Sequence, residues 1–319
     1  MAITPKPFKT DFLEEQDGHR IFFSQYGNKD GQAIIVLHGG PGSQSKPKQV
    51  KGFNLKKYHV ITFDQRGCGK SEPQGKIEHN TLQDLIGDME RLRTKLGIDT
   101  WYVAGGSWGA TLALAYAQSK PNRVKGLLLS SILLARPRDI EWVFNSSGGV
   151  ERFFPDVWET RVEFLAQYNA KPENAAEILL QKLTSATQEE AKIITAGVNN
   201  WEGNLMNAFE DVQYALSEDI DDSDVAAAKI FLHYEANQFF LEPDQLVKNL
   251  KEVESVPTIL VHGRYDLLCT IEETYEVKKR LQNAELLILP TSNHRLTAEG
   301  EIARKLAFTL FLERQYAKS

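Results

Sequence analysis

The pentapeptide Gly105-Gly106-Ser107-Trp108-Gly109 constrains this chain more than any other stretch, because it joins a strand pattern to a helix pattern with almost nothing between them. Residues 101–104 (WYVA) read as a short buried strand, and residues 110–118 (ATLALAYAQ) read as a helix with small residues on its near face. Only a sharp, strained turn connects such elements, and it lifts a serine hydroxyl above the sheet. Strand and helix pass so close that a Cβ at the flanking positions would clash, which accounts for the glycines. Ser107 is therefore the candidate nucleophile. The letters G-x-S-x-G alone are a weak pattern; the strand before them and the helix after them supply the specificity.

The rest of the first third alternates in the same way. Strands are expected at 21–25, at 33–37 (AIIVL) and at 59–63 (HVITF), the latter two as continuous apolar runs suited to burial on both faces. Helical spacing over 82–96 opens at Thr81, an N-cap candidate, and closes at Gly97. A strand at 124–130 (VKGLLLS) follows the Ser107 helix. This β-α-β-α-β order signals an α/β fold built on a mostly parallel central sheet flanked by helices. From about 137 to 244, helical periodicity, aromatics and acidic clusters replace the strand signal. The sheet resumes at 257–263 (PTILVHG), then a helix at 271–282, a strand at 285–289 and a final helix at 299–314. The expected organisation is a core of residues 1–136 and 245–319, interrupted by a helical cap at 137–244. The cap would lie over the C-terminal strand ends, where open α/β sheets bind ligands.

Composition narrows the partners. The chain has 319 residues, enough for a large core, and 37 basic against 43 acidic residues give a net charge of −6. With no basic run, neither nucleic acid nor an anionic membrane surface is expected as a partner. No apolar stretch approaches the ~18–20 residues that span a bilayer, and the N-terminal stretch carries no apolar signal region. The two cysteines, Cys68 and Cys269, make no disulfide framework and suit a cytoplasmic location. No metal-ligand spacing is present, and no metal or cofactor is expected.

A serine nucleophile needs a base, and the base needs an orienting group. In the α/β-hydrolase fold these follow in the order serine, acid, histidine. Two histidines follow residue 244. His262 lies inside an apolar strand pattern and is expected to pack beside the sheet, whereas His294 follows the last strand and is the candidate base. Asp266, after the Gly263-Arg264-Tyr265 turn, is the candidate acid; a helix N-cap or Asx-turn is its alternative. The oxyanion needs two donors: the backbone N–H of Trp108, and one from His38-Gly39-Gly40-Pro41-Gly42, with Gly40 preferred to Gly39. His38 is expected to hold that loop by hydrogen bonding. Asp64 and Arg66 are expected to make structural polar links. Buried, inert thiols are expected at both cysteines, and a solvated loop at Glu218, Asp219, Asp221, Asp222 and Asp224.

Together His38-Gly39-Gly40-Pro41-Gly42, Asp64 to Ser71 (DQRGCGKS), Gly105 to Gly109 and Val261-His262-Gly263-Arg264-Tyr265-Asp266 resemble the proline iminopeptidases (prolyl aminopeptidases) of the α/β-hydrolase superfamily. Residues 153–158 (FFPDVW), Trp201-Glu202-Gly203 and His233-Tyr234 extend the resemblance into the cap. It implies a serine peptidase that removes an N-terminal residue, preferably proline, from small peptides with a free N-terminus, without a cofactor. It carries the triad onto Ser107, Asp266 and His294. It also implies cap carboxylates that pair with the substrate ammonium, one matched by Glu202. The second is expected in a stretch like A-R-I-E-N-H-Y, which here reads AKIFLHY, so Phe231 stands at the glutamate position. Glu235 is a substitute from another angle, or else Phe231 marks a changed specificity, toward other N-terminal residues or toward neutral acyl substrates, as in an esterase or amidase. A ligand-binding relative with little turnover is the remote alternative. Trp201 and Phe231 are candidates to line a proline pocket, with cap core as their alternative. Asn293 and Arg295, beside His294, replace an expected glycine and a small residue.

Overall fold

A computed structural model describes residues 4–209 and 212–317. The sheet has eight strands: β1 (Lys9–Phe12), β2 (Phe22–Gly27), β3 (Gln32–Leu37), β4 (Tyr58–Phe63), β5 (Trp101–Gly106), β6 (Val124–Ser130), β7 (Thr258–Gly263) and β8 (Ala284–Leu289). Their spatial order is β1-β2-β4-β3-β5-β6-β7-β8. The β1–β2 and β2–β4 pairs are antiparallel and the remainder parallel. Apart from β1, every strand appears where the apolar runs place it. β1 was not expected: KTDF is an edge strand, exposed or half-buried along its length, so no hydrophobic run marks it.

Alternation along the central strands supplies two core layers. Ile35, Leu37, Ile61 and Val103 face α1 (Leu82–Lys95) and α2 (Trp108–Ser119). Ile34, Val36, Val60 and Tyr102 face Phe308, Phe311 and Leu312 of the C-terminal helix Ala298–Tyr316. Thr81 caps α1 by accepting from Asp84 N at 3.2 Å, and Gly97, at φ +67°, turns the chain out of it. Almost every residue of α2 is buried, as befits a helix sunk between the sheet and its neighbours.

Between β6 and β7 lie α3 (Pro137–Phe144), α4 (Pro155–Ala166), α5 (Ala175–Ser185), α6 (Gln188–Met206) and α7 (Asp222–Ala236). They carry apolar clusters of their own: Leu165, Leu179, Ile194 and Val198 in one, Val157, Trp201 and Leu205 in another. Part of the acidic stretch is structural rather than a simple solvated loop. Asp221 accepts from Asp224 N at 2.9 Å and caps α7, where carboxylates suit the positive helix end. Among the described residues, no helix is long and apolar enough to cross a membrane.

The sheet order brings distant loops together. β3 neighbours β5, with Leu37 beside Gly105, so the glycine loop after β3 and the turn after β5 emerge side by side. β7 neighbours β8, with Gly263 beside Leu289, so the segments carrying Asp266 and His294 also emerge together. The turn itself depends on missing side chains. A Cβ on Gly105 would lie 2.2 Å from the Gly109 carbonyl oxygen, and one on Gly109 would lie 2.5 Å from that of Leu37. Gly105→Ala is therefore expected to destabilise by on the order of 3 kcal/mol, as an overpacked core does. Gly87→Ala is the control: the site is exposed within α1, with nothing within 4 Å of an added Cβ. It should be neutral or stabilising by up to ~1 kcal/mol. Urea unfolding of the two variants checks both signs.

Candidate active site

Ser107 occupies φ 55°, ψ −133°, a strained conformation for a residue with a Cβ, at the step from β5 into α2. Its N–H donates to Ser130 O at 3.0 Å, while its carbonyl accepts from Ala110 N at 2.8 Å and so starts the helix. Trp108 is the first helical residue, and its N–H is among those an α-helix leaves without an internal acceptor.

Asp266 and His294 meet as their strand ends dictate: His294 Nδ1 lies 2.8 Å from Asp266 Oδ2. Asp266 Oδ1 accepts from Leu268 N at 3.1 Å and Cys269 N at 2.9 Å. Burial works against its ionised form, but His294, His262 and the Cys269 amide outweigh it and hold the carboxyl below the usual range. His262 is fully buried. Its Nε2–H donates to Cys269 O at 2.9 Å, its Nδ1 accepts from Thr274 Oγ1 at 2.6 Å, and burial pushes it toward the neutral form. It steadies the turn carrying Asp266 and does not reach the cavity.

The glycine loop is wired to the turn through Gln65. The Trp108 indole donates to Gln65 Oε1 at 2.8 Å. Gln65 Nε2 donates to His38 O at 2.9 Å, and Gln65 N donates to His38 Nε2 at 3.0 Å. An Nε2 that accepts leaves the proton on Nδ1, which donates to Gly39 O at 2.9 Å. Burial pushes His38 down and keeps it neutral. In a trans peptide, carbonyl and N–H point in opposite directions. With the Gly39 carbonyl turned to His38, the Gly40 N–H faces away from it. Gly40, at φ +115°, holds a conformation suited to glycine, and a Cβ there would lie 2.6 Å from Gly42 N.

These groups open onto one cavity of about 560 Å3 between the strand ends and the helices inserted after β6. Gly39, Gly40, Ser107 and His294 form its floor, and Glu202 and Phe231 belong to its wall. Cys269 also lines it; burial, with Asp266 and Glu273 nearby, pushes its thiol well up, with the Ser107 hydroxyl pulling against this. Cys68 is buried away from it, its thiol likewise raised by burial. Ser107 and His294 both line this cavity. A serine that shares a cavity with an imidazole oriented by a buried carboxylate, at a helix start and next to a glycine loop, has the groups that acyl transfer needs. Arg66 and Asp64 stay structural. Arg66 pairs with Asp88 at 2.7 and 3.0 Å, and Asp64 accepts from Ser45 N and Lys70 N, both at 2.8 Å.

The α/β-hydrolase fold family matches residues 32–300. A probable proline iminopeptidase of Leptolyngbya boryana is 36% identical over 298 residues, covering 92% of this chain and 91% of the relative. The proline iminopeptidase of Neisseria gonorrhoeae is 37% identical over 289 residues, covering 89% and 90%. The chain belongs to the proline iminopeptidase family. Among solved structures, a proline iminopeptidase-related protein of Thermus thermophilus superposes with TM-score 0.58 at 19% identity, covering 96% of this chain and 97% of its own, a likeness of fold.

The residues expected to bind substrate from the helices inserted after β6 divide between two environments. Glu202 lines the cavity, and its Oε1 is buried with no hydrogen-bond partner among the described residues. Burial, reinforced by Glu235 and opposed by Arg161, pushes it up to about 8. Glu235 does not line this cavity. It faces a neighbouring crevice shared with Phe144, whose ring lies 6.2 Å from that of Phe231. Burial, opposed by Arg161, raises it to about 7. Trp201 does not line the cavity either. It is fully buried, its Nε1–H donates to Val143 O at 2.9 Å, and it stacks edge-on against Trp158 at 4.9 Å. The buried face of α6 takes it, and the proline-pocket expectation for Trp201 gives way to a packing role.

Arg161 on α4 was missed in the sequence. It is buried among Trp158, Trp201 and Phe144, at 5.8–5.9 Å from each ring, and it is the cation that Glu202 and Glu235 sense. A solitary arginine in a helical pattern carries no signal of that. Asn293 ties the His294 loop to the cap, donating to Ala208 O at 2.9 Å and accepting from Arg295 N at 3.1 Å. Gln65→Leu should break the wiring of the glycine loop. Steady-state kinetics on an acyl substrate should show kcat falling by about 10- to 100-fold with KM little changed, the signature of a misplaced oxyanion donor.

Proposed function

We propose that this protein is a serine aminopeptidase that removes the N-terminal residue, preferentially proline, from small peptides with a free N-terminus. The observation that carries this reading is a buried carboxyl oxygen, Glu202 Oε1, unpartnered among the described residues, on a residue lining the same cavity as Ser107. An orphaned buried acceptor is costly, and a substrate ammonium would satisfy it with a charge-assisted bond. The 34–37% identical proline iminopeptidases support the substrate class.

In this mechanism Ser107 Oγ attacks the first peptide carbonyl while His294 Nε2 takes its proton. Asp266 holds the ring at Nδ1 and stabilises the imidazolium. The N–H groups of Gly40 and Trp108 receive the oxyanion. His294 then protonates the leaving nitrogen as the C–N bond breaks, and water, deprotonated by His294, hydrolyses the acyl-enzyme. No step calls for a metal or cofactor. Two free, buried cysteines suit a cytoplasmic enzyme.

Phe231 favours a second reading, an esterase or amidase of altered acyl specificity, because an aromatic ring stands in the cavity wall where the family pattern has a carboxylate. Prolyl, alanyl and leucyl arylamides assayed beside short acyl esters separate the two. The aminopeptidase reading expects the prolyl arylamide to lead; a clear lead for N-blocked esters supports the second.

Ser107→Ala should lower prolyl arylamide turnover by at least about a thousandfold. Unchanged turnover would sink the mechanism. Glu202→Gln should raise KM for a free-amine substrate about tenfold while sparing an N-blocked ester, since an ion pair of this kind is worth ~1.4 kcal/mol or more. The same carboxyl sets a pH dependence. With its pKa at about 8 in the free enzyme, it is mostly protonated below that pH, and only the ionised form pairs with an ammonium. KM for a free-amine substrate should therefore fall as pH rises toward about 8, a trend that Glu202→Gln abolishes.

A further inference from the structure

A second, smaller cavity of about 250 Å3 reaches the same reacting groups from another direction. Gly39, Ser107, His294 and Arg295 line both cavities, so the two meet at the nucleophile and the base. Their charge balances differ: the larger carries Asp139, Glu202 and Asp224 against Lys46 and the shared Arg295, whereas cations dominate the smaller. Of the carboxylates lining the larger cavity, Asp139 is paired with Arg136 at 2.6 Å and Asp224 belongs to the cap of α7, which leaves Glu202 without a partner at its buried oxygen. The smaller cavity is lined by Lys48, Arg295, Arg304 and Lys305, against the single carboxylate Glu301. Glu301 is already engaged by Arg304 at 2.8 Å and Lys305 at 3.4 Å. Lys48 and Arg295 make no ion pair among the described residues, and the buried Nε of Arg304 has no acceptor.

We propose that this second cavity is the leaving-peptide subsite, and that its cations, Arg295 and Lys48 foremost, receive the C-terminal carboxylate of a short peptide. The inference rests on the aminopeptidase reading and deepens it. A free peptide is positive at one end and negative at the other. The site matches this polarity, with the buried Glu202 carboxyl on the acyl side, surplus cations on the leaving side, and the scissile bond over Ser107 between them. When the C–N bond breaks, the electron pair stays on nitrogen, which takes the proton held by His294. The shortened peptide then lies in the basic cavity with its new amine beside His294 and its carboxylate toward Arg295. Arg295 is suited to this end because a guanidinium grips a carboxylate through two parallel bonds. The unusual residue next to the base thereby acquires a use: it selects substrates short enough for their C-terminus to reach it.

The test compares kcat/KM for prolyl-alanine with that for its C-terminal amide, in the wild type and in Arg295→Gln/Lys48→Gln, with prolyl arylamide as reference. Both substituted side chains are exposed, and an unchanged unfolding midpoint verifies that the fold is intact. The wild type should prefer the acid by about tenfold at low salt, and the double variant should bring the acid-to-amide ratio to about one. If the arylamide is cleaved but the wild type treats acid and amide alike, or the ratio survives in the double variant, the subsite is overturned alone. If neither peptide nor the arylamide is cleaved, the aminopeptidase reading falls and takes the subsite with it.

Discussion

Everything in the site depends on one strained backbone conformation. Ser107 is held at positive φ because β5 ends and α2 begins within a single residue, and both elements are too deeply buried to move apart. Glycines at 105 and 109 make that approach possible, since each faces a backbone carbonyl where a Cβ would stand. The strain is offset by the packing of α2 against the sheet. In return, the serine hydroxyl stands clear of the strand ends, and the first amide of the helix is left free beside it. The partners of Ser107 follow from the sheet order: a glycine loop from the neighbouring strand on one side, and the Asp266 and His294 segments from beyond β6 on the other.

Two layers of support surround this geometry. A buried chain of hydrogen bonds from the Trp108 indole through Gln65 to His38 sets the direction of the Gly39–Gly40 peptide. A buried histidine, His262, and two backbone amides hold the carboxylate that orients His294. Above them, the helices inserted after β6 supply charge of their own. Arg161, enclosed by aromatic rings, is what offsets the burial of Glu202 and Glu235. Without that cation, two buried carboxylates near one another would favour their neutral forms still more strongly. The result is a cavity lined by Ser107 and His294 on one side and by the buried Glu202 on the other.

How much of this was legible in the sequence follows from how local each signal is. The parallel strands were legible because burial on both faces writes itself as runs such as AIIVL and HVITF. The turn at Ser107 was legible because its glycines, strand and helix are contiguous. Ser107, Asp266 and His294 were picked out by chain order and by their positions after strand ends. β1 was not legible, since a four-residue edge strand needs no apolar run. Nor was Arg161, whose role arises only when α4 packs against α6 and brings it near Glu202 and Glu235. Phe231 and Glu235 lie one turn apart on α7, yet one lines the cavity while the other lies in a separate crevice, because the Phe144 and Phe231 rings stand together between the two spaces. The burial of Trp201 beside the accessible Glu202 is likewise a matter of helix rotation, which a dipeptide does not encode.

The most direct measurement is a crystal structure of the enzyme inactivated with a prolyl phosphonate ester, which mimics the tetrahedral intermediate once bound. The expected result is a covalent bond from Ser107 Oγ to phosphorus, with the phosphonyl oxygen within hydrogen-bond distance of the Gly40 and Trp108 amides and the pyrrolidine nitrogen paired with Glu202. An adduct at another residue, no adduct at all, or a prolyl amine directed away from Glu202 would contradict the account.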